Sequence, residues 1–267
     1  MFIGVAIVSL IIFWMQTIYV LLPFAQIDTY ECDSNANIGV VQVRGELDFV
    51  ENAEEGIVSA DIIIDKLQFL ANQDHIQMVV LDVDSPGGIA TAGENIADTL
   101  KWSTNGKKTT AVIRENGLSA AYLAATGADT IYASRLSNIG SIGVTASYLS
   151  NAKKLEAEGI EFVSFASAPY KDMWFPDRNL STAEHEKVLE DLMQTHRVLV
   201  SLITENRSGL SFENELTEEE VIVLADGTSY LGQKALEVGL IDKLGTLSDV
   251  VTDFEESEGV VGNFCVI

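Results

Sequence analysis

The stretch IQMVVLDVDS, residues 76–85, constrains the fold of this chain more than any other. It is nearly continuous in apolar residues and shows neither the two-residue period of a half-exposed strand nor the 3.6-residue period of a surface helix. A short run of this kind suits a strand covered on both faces. Covering both faces takes helices on each side, and these come with crossover connections and parallel strands. The surrounding sequence supplies them in alternation. IGVVQVRG (38–45), TTAVIRE (109–115), TIYAS (130–134) and IEFVSFAS (160–167) are strand candidates. VENAEEGIVSADIIIDKLQFLANQ (50–73), TAGENIADTLKWS (91–103) and ASYLSNAKKLEAEG (146–159) are helix candidates. So is the long LSTAEHEKVLEDLMQTHRVLVSLITENR (180–207), which opens with Ser181 and Glu184 at capping-box spacing. SYLGQKALEVGLIDKLG (229–245) is a shorter helix leading to a turn. The fold class expected is α/β, a mostly parallel sheet flanked by helices.

The N-terminus carries a different signal. From Phe2 to Ala25 there is no charged residue, and the polar side chains are Ser9, Gln16, Thr17 and Tyr19. About 20 apolar residues suffice to cross a bilayer as a helix. A cleaved signal peptide would carry a basic start, whereas the first Lys or Arg here is Arg44. The sequence therefore divides into a transmembrane anchor over 1–26, a polar linker over 27–37, a globular domain over 38–254 and a loosely held tail over 255–267. With so few charges near the anchor, the positive-inside rule does not set its orientation.

Forty acidic against sixteen basic residues leave a net charge of −24. Such a surface repels phosphate backbones, so nucleic acid is not an expected partner, nor is docking on anionic lipid through a basic patch. A heavily solvated surface accounts for the charge; a cationic substrate is the sharper alternative. Cys32 and Cys265 lie near opposite ends of the sequence without metal-ligand spacing around them. Pairing and two free thiols both stay open.

After the buried strand comes Pro86-Gly87-Gly88, a turn whose backbone can approach a ligand and aim an N–H at an oxygen. Asp82 and Asp84 lack a third carboxylate at ligand spacing, and neither a metal nor a cofactor is expected. Beyond the next helix and strand, Ser119 opens the run AAYLAATGA. A serine at a helix start is ordinarily a cap. Here a glycine loop precedes it in chain order. The N–H groups of Gly88 and Ala120 can face one developing oxyanion between them.

These residues carry a resemblance. DSPGG, then GLSAAYLAATGADTIYAS, then NIGSIGV (138–144) resemble the signal peptide peptidase A family of membrane-anchored serine proteases, within the superfamily of Clp protease and crotonase folds. The resemblance runs from about Ile38 to Leu247. It implies Ser119 as nucleophile, Gly88 and Ala120 as oxyanion donors, and Gly87, Ile142 and Gly143 as substrate-binding residues. Family members usually have glycines after the serine, where this chain has Ala120 and Ala121. That departure bears on pocket size more than on the chemistry.

A serine hydroxyl needs a base. His75, His185 and His196 have no sequence link to the serine loop, and each is expected in an ordinary surface or packing role. A lysine can serve if desolvation lowers its pKa. Lys171 sits among Tyr170, Met173, Trp174 and Phe175, 52 residues after Ser119. In the resembling family the general-base lysine falls at this spacing before Asp, Pro and Arg, matched here by Asp172, Pro176 and Arg178. Asp172 must then point away from the amine. The resemblance further implies a homo-oligomer in which dyad partners can come from neighbouring subunits. It implies peptide substrates such as signal-peptide remnants, with the catalytic domain on the outer side of the membrane and lipid contact through the N-terminal helix. Two other activities of the superfamily stand as alternatives: cleavage of stomatin-like membrane proteins, and crotonase-like chemistry on an acyl-thioester.

Overall fold

A computed structural model of the protein describes residues 30–208 and 216–267. The anchor expected over 1–26 and residues 27–29 of the linker lie outside them. Among the described residues no helix is long and apolar enough to cross a membrane. Residues Cys32–Ile267 form one unit.

Its centre is an eight-stranded sheet. Strand β1 (Ile38–Arg44) lies beside β4 (Met78–Ser85), which lies beside β5 (Lys108–Leu118). The first half of β5 pairs with β6 (Thr130–Ala133), and β6 with β9 (Lys243–Leu244). The second half of β5 pairs with β7 (Asn138–Gly140). All of these pairs are parallel; β7 with β8 (Ser229–Leu231) is the antiparallel exception. A small parallel pair, β2 (Glu46–Asp48) with β3 (Ile57–Ser59), stands beside the sheet.

The unpatterned strand that opened the sequence is β4, and both of its faces are covered. Met78 and Val80 pack with Ile38, Val112 and Phe254 on one side. Val79, Leu81 and Val83 pack with Ile63, Ile96 and Leu123 on the other. The helices responsible are α1 (Ala60–Ala71), α2 (Ala90–Trp102) and α3 (Ala120–Thr126) on one face and α8 (Leu247–Glu258) on the other. Between them in sequence come α4 (Ala152–Ala157), α5 (Thr182–Arg207), α6 (Glu218–Leu224) and α7 (Gly232–Glu237). The capping box of α5 forms as its sequence foretold, Ser181 and Glu184 bonding each other's backbone.

Three expectations need correction. The helix expected over 50–73 forms only in its periodic half; the first half makes a turn and β3. The helix and strand expected over 146–167 reduce to α4. Their apolar residues find no core in this chain: Leu149 is 88% exposed and Phe165 97%. The stretch 255–267, expected as a loose tail, is held at both ends of its run. Its first residues complete α8, and Phe264–Val266 form β10, parallel to Ile38–Val40. A disulfide between Cys32 and Cys265, with Cα atoms 5.6 Å apart, fastens that strand.

Candidate active site

The parallel strands deliver their C-terminal ends to one place. At the end of β4 the chain turns through Gly87 (φ 103°) and Gly88 (φ 145°). Leu47 of β2 grips this turn, donating from its N–H to the Gly87 carbonyl at 2.7 Å and accepting from the Ile89 N–H at 2.8 Å. A side chain on Gly88 would put its Cβ 2.1 Å from the Leu47 carbonyl oxygen. Only glycine combines that φ with that approach.

Register slips between β4 and β5, Val83 facing Ile113 but Ser85 facing Gly117. The extra residues on β5 carry Leu118 and Ser119 up against the glycine turn. A Cβ on Gly87 would lie 2.8 Å from Ser119 Cβ and 3.1 Å from the Ala120 nitrogen. Ser119 itself has φ 50° and ψ −121°, unusual for a residue with a side chain. Such a backbone costs about 1–3 kcal/mol and is kept where surroundings enforce it. Here the Ser119 N–H is pinned to the Gly140 carbonyl at 2.7 Å. Serines on sharp, strained strand-to-helix turns are the pattern of the nucleophile elbow. The alternative role of helix cap is not taken up: the Ser119 side chain makes no capping hydrogen bond.

Neither the Gly88 nor the Ala120 N–H donates to an acceptor among the described residues. Ala120 is the first residue of α3, where N–H groups have no partner within the helix. Among the described residues the site thus has a hydroxyl without a hydrogen-bond partner, two free donors, and the positive end of a buried helix beside them.

Ser119, Ala120 and Gly88 open onto a cavity of about 780 Å³. Gly143 lines it with its neighbours Ser141 and Val144. Ile142 does not: its side chain is buried in the core. Gly87 backs the nucleophile without lining the cavity. Over the cavity lies one face of α5, Leu192, Thr195, His196 and Leu199, at helical spacing. His196 was expected in a packing role; its place beside Leu192 and Leu199 was readable from periodicity, but the surface that face looks onto was not. Asp226, also on the cavity wall, carried no sequence signal at all.

Lys171 stands apart. It is exposed, in a turn between α4 and α5, and does not line the Ser119 cavity. Its neighbour Asp172 points away from it, as expected, accepting from Ser164 Oγ and from Arg178 Nη2. Arg178 also reaches Glu184 at 2.6 Å, so the turn is fastened to the start of α5. Ser164, then Arg178, hold the Asp172 carboxyl below its usual range. The Arg178 guanidinium, with the Ser181 cap, brings Glu184 down to about 2.

Comparison with known proteins identifies the family. Residues 101–261 match the family model for peptidase family S49, and residues 49–139 that for Clp protease. The chain belongs to peptidase family S49. It is a serine peptidase of the SppA-like branch with the Clp protease fold. A relative from Methanocaldococcus jannaschii, "Putative protease MJ0651", is 30% identical over 230 residues, 84% of this chain and 71% of its own length. "Putative signal peptide peptidase SppA" of Enterococcus faecium is 26% identical over 84% of this chain and 64% of its own length. Among solved structures, a serine-to-alanine mutant of the 1510-N membrane-bound stomatin-specific protease superposes with a TM-score of 0.55. It shares 15% identity over 87% of this chain and 98% of that one, a likeness of fold.

Proposed function

We propose that this S49 peptidase is a membrane-anchored endopeptidase that cleaves signal-peptide remnants and other apolar peptides with a Ser119–Lys171 dyad. The observation that carries the reading is the strained, uncommitted Ser119 held against two free N–H donors at the mouth of a cavity. In the reaction, the Lys171 amine acts as the base that takes the Ser119 hydroxyl proton while Oγ attacks the peptide carbonyl carbon. The tetrahedral oxyanion accepts from the Gly88 and Ala120 N–H groups. The C–N bond then breaks, the lysine returns the proton to the leaving amine, and water hydrolyses the acyl-enzyme.

Lys171 must reach the serine for this to work. Its exposure, and that of the apolar residues preceding it, support delivery from a neighbouring copy in a homo-oligomer. The uncharged segment 2–25 supports a single-pass anchor with lipid contact. The Cys32–Cys265 disulfide supports an oxidising compartment, and so a catalytic domain on the outer side. The superposition on a stomatin-specific protease supports a second reading, in which the substrate is a membrane protein's apolar segment rather than a signal-peptide remnant. The test is mass spectrometry of peptides released from membranes by the wild type and by Ser119→Ala and Lys171→Ala. Peptides dependent on both residues are expected; release unchanged in either variant overturns the dyad.

A further inference from the structure

The Ser119 cavity is more polar than a site for apolar side chains alone requires. At about 780 Å³ it lies within the roughly 300–1,000 Å³ range of ligand sites. Its lining includes Asp226 and His196. Asp226 Oδ1 accepts from the Thr228 N–H at 2.9 Å and the Thr228 hydroxyl at 2.5 Å. Those bonds, the hydroxyl's first, keep the carboxyl below its ordinary range, and no cation contributes to that shift. Among the described residues Asp226 has no ion-pair partner, and no Lys or Arg lines the cavity.

His196 adds a second acceptor. Its Nε2 lies 2.8 Å from the Ala225 carbonyl oxygen. A carbonyl only accepts, so Nε2 carries the hydrogen, and in the neutral ring Nδ1 carries the lone pair. Nδ1 has no protein partner among the described residues and is not sealed from solvent. Next door, across Ala90, Thr195 and Leu199, lies a trough of about 390 Å³ floored by Leu123, Val198 and Leu202. Among the described residues its lining includes Glu94 and Asp191 and no Lys or Arg.

A cavity wall with two acceptors, one of them an unpaired carboxylate, complements a donor that carries positive charge. We propose that the Ser119 cavity takes a lysine or arginine side chain of the substrate, with Asp226 as counter-ion and His196 Nδ1 as second acceptor, while the trough takes an adjoining apolar side chain. The substrate is then a peptide with a basic residue at the edge of an apolar stretch. The net charge of −24 draws such peptides in. This inference rests on the peptidase reading of Ser119.

The test uses a set of peptides differing at one position, with Arg, Lys, Gln, Leu or Glu there. Cleavage is measured with the wild type, Asp226→Asn, Asp226→Lys and His196→Ala. Binding of the same peptides is measured by fluorescence anisotropy with Ser119→Ala alone and combined with each change. The wild type should favour Arg and Lys over Gln by roughly fivefold in kcat/KM, the upper end of a partly exposed ion pair. Asp226→Asn should level the ranking, Asp226→Lys should reverse it toward Glu, and His196→Ala should narrow it. The same ranking should appear in binding to Ser119→Ala. A ranking blind to charge, or one unmoved in Asp226→Lys, overturns the proposal. Absence of Ser119-dependent cleavage alongside a charge-dependent binding ranking overturns the peptidase reading alone.

Discussion

At the scale of single residues, the site is built from backbone that ordinary residues avoid. Ser119 at φ 50° and Gly88 at φ 145° are both held by neighbours, one through the Gly140 carbonyl and the other between two Leu47 hydrogen bonds. Ser119→Ala keeps the Cβ and so the turn. Its expected result is a loss on the order of 10⁴-fold or more in kcat with an unchanged unfolding midpoint. Gly88→Ala tests the other half. The added methyl meets the Leu47 carbonyl, so the loop must shift and carry the N–H with it. One lost oxyanion donor costs roughly 10²–10³-fold in kcat. Single-turnover kinetics with the variant should show that loss in the acylation step, and peptide binding that is little changed argues against general misfolding.

At the scale of elements, what the sequence revealed depended on whether this chain supplies the partner. The run 76–85 has no period because α1–α3 and α8 both cover it, and that was legible. The capping box at Ser181 and Glu184 is a local device and appeared where expected. The stretch 146–167 has helix and strand patterns of its own, yet Leu149 and Phe165 meet no core here, and local pattern alone did not hold them in regular structure. The converse holds for Phe264–Val266, too short to stand out, which becomes a strand because β1 offers an open edge and Cys265 a covalent tie. Ser119, the glycine turn and Ala120 were readable because chain order brings them together. His196 and Asp226 were not, since they meet the serine only through the packing of α5 and the β7–β8 pair. The fastening of the Lys171 turn makes a prediction at this scale. Glu184 is held at about 2 against an ordinary 4.5. A depressed carboxyl stabilises fully above its unfolded value and loses that contribution as pH falls toward its folded one. The stability difference between the wild type and Glu184→Gln should therefore be constant above about pH 5 and shrink between about 4.5 and 2. Urea unfolding across that range measures it, and a pH-independent difference would assign Glu184 no part in holding Arg178.

At the scale of the whole molecule, two features bear on the proposed homo-oligomer. Lys171 is exposed and outside the cavity it is proposed to serve, and the segment on either side of it displays Val163, Phe165, Trp174 and Phe175 to solvent. Exposed large apolar side chains gathered on one segment suit an interaction site. If the partner is a second copy and the lysine crosses the interface, a heterologous contact makes each active site from two subunits. Ser119→Ala and Lys171→Ala are then each inactive alone, one lacking the nucleophile and the other the base. In a mixed oligomer, a Ser119→Ala subunit still presents its lysine and a Lys171→Ala subunit still presents its serine. Random one-to-one assembly puts both intact partners together at about a quarter of the sites. Dissociating the two variants, mixing them and allowing reassembly should restore roughly that share of wild-type cleavage, growing with the time of subunit exchange. If Lys171 instead swings onto the serine of its own chain, every site in the mixture lacks one member of the dyad, and mixing restores nothing.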